Sequence, residues 1–163
     1  MSHTKDRKIL VAVDGGDESS YALSWCINNV VDQNFKDTLI LLYVKPPRVL
    51  YTSLVGTGYL FSNDIVASVE KYGNDVAQVV MEKSKRICKD LKNVKVEMQM
   101  EHGDPRDVIC QTAEKLNVDM VVMGSHGYGL FKRAFLGSVS NHCSQNVKCP
   151  VLIVKRAKSN GGN

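Results

Sequence analysis

A doubly wound α/β fold, with a five-stranded parallel sheet and helices on both faces, is predicted by three features of the sequence. Four short apolar runs rich in β-branched residues, Ile9 to Val13, Leu39 to Val44, Met120 to Met123 and Val151 to Val154, read as strands covered on both faces. Segments of helical periodicity separate the strands, so the order is β-α-β-α-β-α-β-α-β, which calls for right-handed parallel crossovers. A chain of 163 residues with 44% hydrophobic content can fill the core of one such domain.

Taken in order, the first strand ends at Asp14-Gly15-Gly16, and Ala22, Trp25, Cys26, Asn29 and Val30 give the first helix its apolar side. After the second strand, Pro46 to Asp64 breaks the alternation and reads as a long connection, either a lid or interface or a plain mobile loop. A long second helix follows, with Val69, Tyr72, Val76, Val79, Ile87 and Leu91 on its expected inner side. Val94 to Met100 alternates apolar and polar residues, which predicts an edge strand with one wet face and Met100 on the covered one. The third helix has a cap residue in Asp104, Pro105 in its first turn and Asp107 where the helix dipole favours an acid. Val108, Ile109, Ala113 and Leu116 form its apolar face. The last helix is expected from near Ser138 to about Val147, with Val139, Cys143 and Val147 on one stripe. Residues 1–156 read as one domain and residues 157–163 as a flexible tail.

Composition narrows the function classes. Basic residues number 21 against 17 acidic, a net charge of +4, with no block of like charge that reads as a nucleic-acid arm. The longest apolar run is far below the roughly 20 residues needed to cross a bilayer. The N-terminal MSHTKDRK has none of the organisation of a signal peptide, and the ends carry no lipidation motif. A cytoplasmic location is therefore expected, with the nucleus also open. Five cysteines, Cys26, Cys88, Cys110, Cys143 and Cys149, form no CxxC pair and read as reduced, mostly buried thiols. Cys143 and Cys149 are the one suggestive redox pair by sequence.

The chemistry concentrates after the fourth strand. There the chain reads Gly124-Ser-His-Gly127-Tyr-Gly129, and further on Gly137-Ser138-Val139-Ser140 at the expected start of a helix. Glycines let backbone N–H groups approach phosphate oxygens, and a helix N-terminus favours an anion. Ser138 and Ser140 can add hydroxyl donors. His126, Lys132 and Arg133 lie within this stretch, but solvated side chains are at least as good a reading of them. Asp14 ends one buried strand and Gly124 another, as a strand-end site requires. On turn chemistry alone, Asp14 also reads as a turn or cap acid.

The spacing Gly124, two residues, Gly127, nine residues, Gly137-Ser138 resembles the nucleotide-binding signature of the universal stress protein family. The likeness extends over Ile9-Leu-Val-Ala-Val-Asp14-Gly-Gly, Ala22-Leu23, Gly103-Asp104-Pro105, Leu136-Gly-Ser-Val-Ser140 and Cys149-Pro-Val-Leu-Ile-Val154. Leu41-Leu-Tyr-Val-Lys-Pro and Phe131-Lys-Arg-Ala look most like plant single-domain members. The resemblance implies a Rossmann-like sheet of order 3-2-1-4-5 and a site for ATP or AMP between the first and fourth strands. It places Gly127, Gly137, Ser138, Val139 and Ser140 at the phosphates, and Met123 and Gly124 near the ribose. Ala12, Val13 and Asp14 fall near the nucleoside, and the backbone of Val44 at adenine. Asp14 would also help to hold a metal ion, magnesium, on the phosphates.

A nucleotide-binding regulator is the leading function, because the Walker pattern GxxxxGK[ST] is absent and no catalytic base can be named. A slow ATP-hydrolysing enzyme and a thiol-dependent redox chaperone are the alternatives. The apolar fifth strand, placed at a sheet edge by the family's order, predicts a homodimer that pairs Val151 to Val154 across a two-fold axis.

Overall fold

The computed structural model describes residues 6–46, 63–125 and 135–156. Among them are five strands, β1 (Lys8–Val13), β2 (Thr38–Lys45), β3 (Lys95–His102), β4 (Met120–Gly124) and β5 (Val151–Val154). They alternate with four helices, α1 (Asp17–Asn29), α2 (Asn63–Ile87), α3 (Pro105–Lys115) and α4 (Phe135–Asn146). All the strands run parallel, in the order β3-β2-β1-β4-β5. The fold class and the strand order are those expected. Most of the long connection after Pro46, and the tail from Ala157, lie outside the described residues.

Side chains alternate across a strand, so each inner strand feeds two cores. Ile9, Val11 and Val13 of β1 join Leu39, Leu41 and Tyr43 of β2 beneath α1 and α2, where Ala22, Leu23, Cys26, Ala77 and Val80 meet them. Leu10 of β1, Ile40 and Leu42 of β2, and Val121 and Met123 of β4 face the other way, against Ile109 and Ala113 of α3 and Val139 and Cys143 of α4. Two covered faces explain why these strands read as unbroken apolar runs. β3, at the edge, alternates exposed and partly buried residues over its first half. Met100 departs from the expectation: it is 45% exposed, and Met98 is the last residue of its row packed on the core.

Of the expected inner face of helix α2, Val76, Ile87 and Leu91 pack on the core, but Tyr72 and Val79 do not. Tyr72 and Val79 are 58% and 63% exposed, and the buried row is Gly73, Ala77, Val80, Ser84 and Cys88. Gly73, at the start of that row, faces the flexible Lys45 side chain at the end of β2, whose Cε would stand 2.8 Å from an added Cβ. The cap of α3 is as expected, with Asp104 accepting from the Arg106 N–H at 2.9 Å and Pro105 opening the helix. The α4 helix begins at Phe135, three residues before the expected start near Ser138. Val139 and Cys143 are buried on the expected stripe, with Val147 packed beside them.

At the N-terminal ends of the strands one ion pair ties several elements together. Arg7 Nε and Nη2 donate to the two carboxylate oxygens of Asp37 at 3.0 and 2.6 Å, and Nη2 also donates to the Val30 carbonyl at the end of α1. Asp37 further accepts from the Asp32 N–H, and its carbonyl accepts from Lys95 N–H of β3. Burial by itself would raise the Asp37 carboxyl, but the Arg7 hydrogen bond, the Asp32 N–H and the Arg7 charge together hold it below its ordinary value.

Two measurements check this packing. Val79→Ala should leave stability within about 0.5 kcal/mol. Val80→Ala, one position away, should cost about 2 kcal/mol in urea unfolding. Because the folded state favours charged Asp37, the pair stabilises at neutral pH, and this is lost as pH falls from about 4 through the lower folded value. Asp37→Asn should cost about 2–4 kcal/mol at pH 7, less than for a wholly buried pair since Arg7 is 40% exposed. Its deficit relative to the parent should shrink in unfolding curves taken below about pH 4.

Candidate functional site

The sheet stops being continuous at the C-terminal ends of its middle strands. β1 pairs with β2 along its whole length, from Lys8↔Thr38 to Val13↔Tyr43, but with β4 only from Ile9↔Met120 to Val11↔Val122. Both strands continue past that last pair, β1 to Val13 and β4 to Gly124, which pairs with Val154 of β5 instead. The break falls where strand order reverses, the place where open α/β sheets hold ligands.

On the β1 side, hydrogen bonds turn the chain out of the sheet. The Asp14 N–H donates to Ser19 Oγ at 2.8 Å, and Asp14 Oδ1 accepts from the Gly16 N–H at 2.7 Å. Asp14 thus has the turn role that its sequence context allows, and it stands half-buried at the strand end. Ala12, half-buried, packs at the margin of the core beneath α3 and α4, and Val13 is buried in the opposite core. The side chain of Val44, near the end of β2, is also buried, and the residue pairs with Glu101 of β3.

On the β4 side, Met123 is fully buried. Gly124 is needed for close approach: a Cβ there would lie 3.1 Å from the Glu18 carbonyl oxygen in the first turn of α1. Ser125 N–H donates to the Val154 carbonyl at 3.2 Å. The buried Ser140 hydroxyl is within reach of the Ser125 carbonyl at 3.4 Å and the Gly137 carbonyl at 3.2 Å. It fastens the start of α4 to the end of β4. Gly137 is half-buried and Ser138 exposed, both in the first turn of α4, whereas the Val139 side chain points into the core. The structure therefore brings together Asp14, the Gly124-Ser125 strand end and, through Ser140, the first turn of α4. Gly127, His126, Lys132 and Arg133 lie outside the described residues.

Two participants escaped the sequence reading. Ser19 is buried and holds the Asp14 backbone, a contact signalled only by a five-residue spacing into the next helix. Glu18 Oε2 is buried without a hydrogen-bond partner among the described residues, on the turn that packs against Gly124. Among the described residues no group of three or more His, Cys, Asp or Glu side chains is placed to hold a metal ion. Nor is any described helix long and apolar enough to cross a membrane. Gly124→Ala should push α1 off β4, since the obstacle is backbone, and lower thermal stability by about 1–3 kcal/mol.

Comparison with known proteins now bears on this geometry. Universal stress protein YxiE of Bacillus subtilis is 35% identical over 152 residues, covering 91% of this chain and 98% of its own. Universal stress protein PHOS34 of Arabidopsis thaliana is 32% identical over 163 residues, covering 91% of this chain. The chain spans only 62% of that relative's length. A universal stress protein family protein from Arabidopsis thaliana, solved with AMP bound, superposes with a TM-score of 0.65 at 24% identity, over 96% of this chain and 97% of that one. Residues 6–155 match the universal stress protein family, and the chain belongs to that family.

Proposed function

We propose that this protein binds an adenine nucleotide, ATP or AMP, in the crevice between β1 and β4, and serves as a nucleotide-dependent regulator in stress response. The observation that carries the reading is the β1–β4 ladder that ends at Val11↔Val122 while both strands run on, with Asp14 on one side and the first turn of α4 fastened to the other. The AMP carried by the Arabidopsis relative supports the choice of an adenine nucleotide.

In this reading the phosphates lie against Gly127, Gly137, Ser138 and the backbone of Val139 and Ser140, at the positive end of the α4 dipole. Ala12, Val13 and Asp14 border the nucleoside, Met123 and Gly124 the ribose, and the Val44 backbone the adenine. Magnesium is usually held by one or two carboxylates together with substrate phosphates. Asp14 alone suits that arrangement, so no cluster of protein ligands is required. Nucleotide binding without efficient turnover fits a chain that lacks the Walker pattern, and slow ATP hydrolysis is the second reading.

The domain would span residues 1–156, ahead of a flexible tail at 157–163, in a cytoplasmic protein of the plant single-domain type. Val151, Leu152 and Ile153 are only partly buried on the edge strand β5, which favours a homodimer built by pairing this strand with its copy.

Ser138→Asp tests the site without disturbing the fold, because an exposed acid in a helix's first turn is favourable to the helix. It should weaken ATP by tenfold or more in calorimetric titration and adenosine far less, since only the nucleotide brings phosphate charge. Equal ATP affinity in parent and variant would overturn the assignment.

A further inference from the structure

Helices α3 and α4 lie side by side over one face of the sheet, and their contact contains two thiols. Cys110 Sγ of α3 is 4.0 Å from Cys143 Sγ of α4, close enough for one thiol to donate to the other. Both are free. Cys143 is wholly buried, whereas Cys110 is half-buried and reachable from solvent. Cys149, the partner that the sequence suggested for Cys143, borders the same core from the segment before β5, but the thiol in contact with Cys143 is Cys110.

We propose that Cys110 and Cys143 form a peroxide-driven, reversible intramolecular disulfide that cross-links α3 to α4. The sulfurs already touch, so bonding requires closing 4.0 Å to about 2.05 Å by side-chain rotation and a small approach of the helices. Cys110, as thiolate, attacks a peroxide oxygen; the O–O bond breaks, an alcohol or water leaves, and Cys110 becomes a sulfenic acid. Cys143, losing its proton, then attacks the Cys110 sulfur, the S–O bond breaks, and the departing hydroxide takes up a proton as water. Two thiols are oxidised to one disulfide, and one peroxide is reduced. Burial pushes the Cys143 thiol up to about 12 and also raises Cys110, which lowers the thiolate fraction at neutral pH and slows the step.

The division of roles follows from exposure. An accessible sulfur meets the oxidant, and a buried one resolves it before further oxidation. The bond would join positions 33 residues apart on two helices that pack through apolar side chains and approach at the surface through His142 and Asp107, 3.9 Å apart. It would also fix α4, whose first turn carries Gly137 and Ser138; only this last consequence rests on the nucleotide reading.

The test uses full-length protein without nucleotide, exposed to hydrogen peroxide and then denatured for thiol counting and peptide mapping. The parent's five free thiols should fall to three, with a linked peptide containing Cys110 and Cys143 and full recovery in dithiothreitol. Cys143→Ala, a small apolar replacement suited to a buried site, should stop at a Cys110 sulfenic acid trapped by dimedone. Cys110→Ser should keep Cys143 unreacted. Circular dichroism of both variants confirms that they are folded. Five thiols remaining in the parent, a link from Cys149, or a link between chains would each overturn the proposal. Since none of these readouts involves nucleotide, their failure leaves the Ser138→Asp titration to stand or fall separately.

Discussion

β1 lies at the centre of the sheet, with β2 on one side and β4 on the other, and its side chains alternate between two helix layers. Ile9, Leu10 and Val11 are almost wholly removed from water, and each such side chain contributes about 1.5–3 kcal/mol of burial. A strand held this way on four sides cannot shift in register without moving its apolar residues across to the wrong core. Its last residues are therefore delivered to one place. Past Val11 the partner on one side is lost while β2 still holds the other, and the crevice results from that asymmetry.

Both ends of the sheet are closed by polar contacts of different character. At the N-terminal ends, Arg7 and Asp37 fork together and connect the end of α1 with the starts of β1, β2 and β3. At the C-terminal ends the contacts include hydrogen bonds from Asp14 N–H to Ser19 and from Ser140 to Ser125, an ion pair of Arg156 with Asp17, and the tight approach of Gly124 to α1.

Much of this was readable because it is written locally. Continuous apolar runs identify doubly covered strands, and Asp104-Pro105 marks a helix start whether or not the rest of the chain is known. Asp14 and Gly124 were placed at strand ends by the same logic. The inner face of α2 was readable only in part: Val76, Ile87 and Leu91 pack on the core as their spacing suggested. Its most buried row mixes Val80 and Cys88 with Gly73, Ala77 and Ser84, which carry little hydrophobic signal, while Tyr72 and Val79 face outward. Gly124, similarly, has a packing reason that no loop motif reveals, because the atom it avoids belongs to Glu18 on another element.

The order of elements, the parallel sheet and the strand ends that border the crevice were thus determined by the sequence itself, since hydrophobic period and cap chemistry act over a few residues. Tertiary structure alone decided which residues meet across long separations: Arg7 with Asp37, Ser140 with Ser125, and Cys110 with Cys143 rather than Cys149. Those pairings depend on how helices settle on a twisted sheet, where side-chain size and the reach of polar atoms govern, and neither leaves a periodic trace along the chain.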